Sequence, residues 1–313
     1  MRRQFSRPMR INTVAFENPS LRIRAVHCRA AAHPCGGIEQ SATHTLVLPQ
    51  SGVFVRHDSR HAAVIADAVH GVFFTAGRPY RVSHPREGGD DCLVLEYAPS
   101  ALVMALQAVD PEAADRPAEP FRMPAVRLEP HTILERRILW HRLTHGLADD
   151  LEIEERAFAL FSAAVGSAGA HIPSSSPWRR SARIDLVRDT QVTLASQPAL
   201  RWSLHRLACR VECSPFHLAR AFREHTGVSI HRYLVRARLT QSLDAILDSQ
   251  RGLSSISLDA GFAHHSHFTA AFHRAFGMTP SALRRQTSTT SPERTPCPRT
   301  PRSRPIPVPG TAP

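Results

Sequence analysis

The sequence predicts an α+β chain of two unlike parts: an N-terminal antiparallel β-barrel with attached helices, then an all-α double helix-turn-helix domain. Three observations carry this. Short strand-like runs recur at regular spacing between turn residues over roughly 20–100. One pattern is written twice about fifty residues apart, as Ala221-Phe222-Arg223-Glu224-His225-Thr226-Gly227 and Ala271-Phe272-His273-Arg274-Ala275-Phe276-Gly277. Positive charge is also partitioned: residues 1–178 hold 19 Arg against 19 acids, whereas residues 179–313 hold 20 Arg against 8, the whole of the net +12.

The first 19 residues open with Met1-Arg2-Arg3-Gln4-Phe5 but no apolar signal-peptide core follows, and no run approaches a membrane span. A cytoplasmic chain with no membrane partner is expected. Six Cys in 313 residues are too sparse for a disulfide framework.

Within 20–100, strands are expected at Thr45–Leu48, Val53–Arg56, Ala62–Ala66, Gly71–Phe74, Tyr80–Ser83 and Cys92–Tyr97. Breaks are expected at Pro49–Gly52, His57–Ser59, Gly77–Pro79 and His84–Asp90. Residues 101–170 read as a helical connector: Ser100–Val109, a polar Pro-bearing stretch over Pro111–Pro130, then helices near His131–Leu147 and Leu151–Ala168. Asp149 and Asp150 suit the positive end of the last helix, whose expected stripe is Leu151, Ala157, Phe158, Phe161 and Ala164. That pair either covers its own sheet or pairs two copies through 131–168. Residues 171–178 are the linker, and 286–313, rich in Pro, Ser, Thr and Arg, should be a disordered tail.

The domain at 179–285 carries the chemistry. Leu204–Val211 supports, Glu212-Cys213 turns, and Ser214 caps a helix with Pro215 at its first position. Leu218, Ala221, Phe222 and His225 fall on one face at helical spacing, while Phe216, Ala219, Arg220 and Arg223 fall on the other. Arg220 is the best placed for bidentate bonding to guanine, or else to a phosphate, and Phe216 for a thymine methyl, the alternative being that its ring packs on a neighbouring loop. The second unit repeats the plan. Leu253–Ala260 supports, Gly261 suits a left-handed turn, and Phe268, Ala271, Phe272 and Ala275 turn inward. His265, Ser266, Thr269, Ala270 and His273 are left facing out.

Between the units, Ile230–Leu247 reads as one helix of about 27 Å, near one duplex turn, so two reading helices could enter successive major grooves. Arg223, Arg232, Arg236, Arg238 and Arg274 are the phosphate-contact candidates. His264, His265 and His267 lack thiol or acidic partners nearby, so no metal is assigned to them.

These residues resemble the AraC/XylS family of bacterial transcription regulators over Ile184–Arg284. The match rests on Leu207-Ala208, Ser214, Leu218, Phe222, Gly227, Tyr233, Arg238-Leu239, Ile256, Gly261-Phe262, Phe268, Phe272, Gly277, Thr279-Pro280 and Arg284. The departures are Ser257, where Ala is usual, and Ala282-Leu283 before the closing Arg. The resemblance implies base reading by Phe216, Ala219 and Arg220, then by His265, Ser266, Thr269 and Ala270. It also implies a double-stranded DNA operator, with RNA polymerase as a further candidate partner.

Residues 20–100 are similar, more loosely, to the cupin-like sensory barrel of many such regulators. His84 and Gly88-Gly89-Asp90-Asp91-Cys92 carry that likeness. An unidentified small molecule or redox signal is therefore expected there, with His27, Cys28, His84 and Cys92 as effector-site candidates. Cys35 and His33 would join them in any thiolate or zinc site. Buried Cys in a small barrel is more often plain core, so no metal or cofactor is assigned. No nucleophile elbow, phosphate loop or dinucleotide fingerprint occurs, and an enzyme is not expected. The alternative is a cupin-type metalloenzyme fused to a DNA-binding module.

Overall fold

A computed structural model describes residues 9–29, 36–58, 63–107, 110–167 and 180–288. The linker 171–178, His33, Cys35, Ala62 and residues 289–313 lie outside the described residues.

Among the described residues, nine strands make one antiparallel assembly. They are β1 (Met9–Glu17), β2 (Leu21–Arg29), β3 (Glu39–Gln40), β4 (Thr45–His57), β5 (Val64–Asp67), β6 (His70–Phe74), β7 (Pro79–Ser83), β8 (Asp90–Tyr97) and β9 (Ala125–Arg127). The main sheet runs β1-β2-β8-β4-β6-β9, and the far half of β4 pairs instead with β5 and β7, with β3 beyond. Strand pairing does not close this into the expected barrel, because β1 and β9 are edges.

The expected break at Pro49–Gly52 is absent: β4 continues through it with a shift of register between Pro49 and Ser51. Proline offers no amide to the ladder, so a shift there leaves no donor stranded. Gly52 sits at φ +76°, and a Cβ on it would lie 2.2 Å from the Gly89 carbonyl oxygen. The bend lets one strand serve both halves of the sheet.

Alternation along the strands sorts side chains into two layers. Leu21, Ile23, Leu46, Leu48, Leu93 and Leu95 pack toward helices α1 (Pro99–Gln107), α2 (Pro130–Thr144) and α3 (Asp150–Ser167). Val26, Phe54, Phe74, Cys92 and Val94 form a separate core on the opposite face. In α3 the buried stripe is Ile153, Ala157, Leu160, Phe161 and Ala164, whereas Leu151 in its first turn is 65% exposed. The Asp149 carboxylate accepts from the Glu152 amide at 2.8 Å, capping that helix.

Among the described residues seven helices follow: α4 (Arg180–Ser196), α5 (Leu204–Arg210), α6 (Pro215–Thr226), α7 (Ile230–Asp248), α8 (Leu253–Asp259), α9 (His265–Phe276) and α10 (Pro280–Ser288). Helix α10 extends past Arg285 into the stretch expected to be tail. Val192 of α4 packs on Val53, Val55 and Ile65, so this helix lies against the sheet. The large apolar core is continuous from Leu21 and Leu46 through Ile133 and Phe161 to Phe222, Leu243 and Phe272. The C-terminal helices are docked on the N-terminal half.

Candidate nucleic-acid interface and sensory cavity

Local signals set each reading helix. At α6, the Ser214 hydroxyl accepts from the His217 amide at 3.2 Å, Pro215 occupies the first turn, and Gly227 ends the helix at φ +73°. Leu218, Ala221 and Phe222 are buried, and the Phe222 ring meets Tyr233 of α7 edge-on at 5.5 Å. The other face points outward. Phe216 is 78% exposed, which removes the alternative that it packs on a neighbouring loop. Arg220 and Arg223 are exposed, Ala219 partly so. The Arg220 Nε donates to Glu224 Oε1 at 2.7 Å, one helical turn on.

Helix α9 repeats this geometry. Gly277 ends it at φ +73°, and Phe268, Ala271, Phe272 and Phe276 are buried. Phe276 takes the place expected for Ala275, which is only partly covered. His265, Ser266, Ala270 and His273 are exposed and Thr269 is partly so. Gly261, in the turn before α9, has φ +87°, and a Cβ there would lie 2.5 Å from the Ala199 carbonyl oxygen. Only glycine fits both the backbone angle and the contact.

The five phosphate candidates divide. Arg223, Arg232 and Arg274 are exposed. Arg236 and Arg238 are partly buried and bonded within the protein. Arg236 donates to the Leu128 carbonyl at 3.0 Å and pairs with Glu129 at 3.2 Å, and burial pulls its guanidinium below the usual range. Arg238 donates to the Pro198 and Leu200 carbonyls at 2.8 and 2.9 Å, fastening the segment that leads into α5. The closing Arg284 likewise holds the Ile246 and Arg251 carbonyls. Ser257 is buried, and its hydroxyl donates to the Ser254 carbonyl at 2.7 Å, so it replaces alanine with its polar atom satisfied.

Sequence reasoning missed the interface that holds α7. Tyr233 donates its hydroxyl to Asp67 Oδ2, and the same carboxylate meets His70 Nδ1 at 2.7 Å and the Val69 amide at 2.9 Å. Burial alone would push the Asp67 carboxyl up. The charge and hydrogen bond of His70, then the Tyr233 and Val69 bonds, outweigh it and hold Asp67 below its ordinary value. Nearby, Arg137 of α2 pairs with Asp244 of α7 at 2.6 Å, and His141 with Asp248 at 2.5 Å. Arg136 is wholly buried and donates to the Pro49 and Ala68 carbonyls, and burial, then Arg137, pulls it down to about 9. The only sequence signal was two adjacent Arg in one helix and two Asp four apart in another.

A family profile described as a helix-turn-helix domain matches residues 207–286. That span holds both reading helices and the helix between them. Residues 207–286 are an AraC-type helix-turn-helix domain. An uncharacterized HTH-type transcriptional regulator of Haemophilus influenzae is 28% identical over 31% of this chain and 33% of its own length. The HTH-type transcriptional activator RhaS of Escherichia fergusonii is 34% identical over 28% and 30%. RhaR of Salmonella arizonae is 28% identical over 42% and 46%. The chain thus spans less than half the length of these curated relatives. Among solved structures, ToxT from Vibrio cholerae O395 is 12% identical, covering 87% of this chain and all of that one, with a TM-score of 0.34. The DNA-binding domain of AdpA, solved with a target DNA, is 22% identical, covering 36% of this chain and 96% of that one, with a TM-score of 0.31.

Away from the AraC-type domain, the N-terminal half holds a cavity of about 130 Å³, open to solvent on one side, between the two halves of its sheet. Val26, Val47, Phe54, Phe74 and Val94 give it apolar walls, and Arg10, Arg24 and Glu39 also line it. Three of the four effector candidates line it too: Cys28, His84 and Cys92. His27 does not. One residue before Cys28 on the strand, it faces the other way, bonds Asp91 at 2.9 Å and lines a second cavity, of about 180 Å³, against α2 and α7. In the first cavity, His84 Nε2 lies 2.7 Å from Asp90 Oδ1, and the Cys92 thiol donates to Asp90 Oδ2 at 3.1 Å. Burial pulls His84 down, but Asp90 and then Cys28 outweigh it and raise it to about 9. Burial, reinforced by Asp90, pushes the Cys92 thiol well up.

Proposed function

We propose that this chain is a sequence-specific, DNA-binding transcription regulator that reads two adjacent major-groove segments of an operator. A signal received in the N-terminal cavity adjusts how the reading domain is presented. The observation that carries the reading is the matched pair of outward faces on α6 and α9, each ended by a left-handed glycine and backed by buried Phe. Phe216, Ala219 and Arg220 on one face, with His265, Ser266, Thr269 and Ala270 on the other, are the base-contact set. Arg220 exchanges Glu224 for a base edge or phosphate on docking.

Arg223, Arg232 and Arg274 hold phosphates and supply affinity and register. Arg236 and Arg238 are withdrawn from that role by their bonds within the protein. A regulator of this kind works in the bacterial cytoplasm beside RNA polymerase and needs no catalytic group. A second copy pairing through 131–168 would use outward residues such as Leu151, because the inward faces of α2 and α3 already cover the sheet and α7.

The test is anisotropy of the full chain on labelled duplexes across a salt series. Arg274→Ala weakens binding to all sequences alike and reduces the salt slope by about one unit. A loss confined to one sequence would assign Arg274 to a base instead.

A further inference from the structure

The base of the N-terminal cavity gathers four groups that no reading of DNA requires. Cys28 comes from β2, Asp90 and Cys92 from β8, and His84 from the residue that follows β7. Cys28 lies opposite Asp90 in the β2–β8 ladder and Val26 lies opposite Cys92. Asp90 and Cys92 are two residues apart on one strand. All three therefore project from the same face, toward the cavity. His84 reaches across to them. One ligand atom each from Cys28, His84 and Asp90 lies within 4.8 Å of the others, and all three residues are buried. Cys92 Sγ is 3.1 Å from the second Asp90 oxygen.

We propose that Cys28, Cys92, His84 and Asp90 form a closed, four-coordinate site for a divalent zinc ion at the floor of this cavity. The donor set selects the metal. Two sulfurs and an imidazole favour a borderline-soft ion over magnesium or calcium, which take oxygen cages. Tetrahedral bonds of about 2.0–2.3 Å place ligand atoms about 3.3–3.8 Å apart, so Cys28, His84 and Asp90, within 4.8 Å of one another, draw together by about 1–1.5 Å, and Cys92, now bonded to Asp90, swings in as the fourth ligand.

Burial supplies the second argument. An imidazole, a carboxylate and two thiols packed away from water are costly to hold by hydrogen bonds alone, and a cation that accepts all four offsets that cost. On binding, each thiol gives up its proton to solvent and the imidazole coordinates as the neutral form. With four protein ligands the ion has no open position for substrate, so the site is structural or sensory rather than catalytic. It shares a wall with the apolar cavity, so metal occupancy sets the shape and charge that any small effector meets. The inference is independent of the DNA-binding proposal and can fail without it.

The full chain, stripped with chelator under a non-sulfur reductant, is titrated with cobalt(II) and then zinc(II). One cobalt per chain should bind, with a sulfur-to-cobalt charge-transfer band and the intense visible bands of tetrahedral geometry, both erased by one equivalent of zinc. C28A, C92A and H84A should each weaken binding at least 10-fold, whereas C209S/C213S, in the DNA-binding half, retains the full spectrum. Zinc should also raise the melting temperature of the wild type, a readout that does not depend on the variants folding. The proposal is overturned if wild type shows no sulfur-to-cobalt band under reducing conditions. It is equally overturned if the band persists in C28A and C92A or disappears in C209S/C213S.

Discussion

Replacing Asp67 with alanine lowers the unfolding free energy of the full chain by about 3–5 kcal/mol at neutral pH, read from a urea melt. The carboxylate is fully buried between β5 and α7, where Tyr233, His70 and the Val69 amide all converge on it. Truncation leaves the phenol and the amide without their acceptor inside a region that water does not reach. Tyr233→Phe removes one bond to a charged group and costs less, about 1.5–3 kcal/mol.

The pH dependence has a definite sign. Asp67 titrates below its unfolded value of 3.8 in the folded chain. Its stabilisation is therefore fully present above that value and is lost as pH falls through the lower, folded value. The difference between wild type and Asp67→Asn should therefore shrink as pH falls below 3.8 toward the lower, folded value. A neutral-pH loss under about 1 kcal/mol for Asp67→Ala would show that the junction between the halves does not rest on this network.

Arg220→Ala weakens binding to the preferred duplex by about 1–3 kcal/mol, roughly 5- to 150-fold, and relaxes preference at one base position. The guanidinium stands free of the core on the outward face of α6, and among the described residues Glu224 is its ion-pair partner. Glu224→Ala releases that competitor and should strengthen binding slightly, with no change in the preferred base. The second helix should contribute less discrimination, because its outward set of His265, Ser266, Thr269 and Ala270 has no side chain that can fork onto a guanine. Unchanged affinity and unchanged preference for Arg220→Ala, measured by gel shift over a set of single-base variants, would remove it from the reading set.

The C-terminal domain was legible because its signals are local. Ser214-Pro215, Gly261 and the 3.6-residue spacing of Leu218, Ala221 and Phe222 each specify structure within a turn or two of chain. The N-terminal half was legible only in part. Strand β1 was missed because it is an edge: Ile11 and Val14 stay half exposed there, so no buried stripe marks the segment. Strand β9 has three residues, too few for a period. The break assigned at Pro49–Gly52 followed from turn-forming residues that here build a bulge.

At the candidate sites the misses are of two kinds. Arg236 and Arg238 look like any surface Arg in the sequence. What draws them inward is a carbonyl or carboxylate from elsewhere in the chain: Leu128 and Glu129, more than a hundred residues away, for Arg236, and Pro198 and Leu200 for Arg238. The same holds for Arg137 with Asp244 and for Tyr233 with Asp67. Grouping His27 with Cys28, by contrast, overlooked a rule that the sequence does show, since neighbours on a strand face opposite ways.

Selection of bound duplexes from a random pool by the full chain, followed by sequencing, decides whether two helices read DNA together. The enriched sites should carry two conserved blocks with centres one helical turn, about 10–10.5 base pairs, apart. The stronger block belongs to α6 and should degrade in the Arg220→Ala chain. A pool that stays unenriched while retention falls with salt, or that yields a single short block untouched by changes in α9, would contradict paired groove reading.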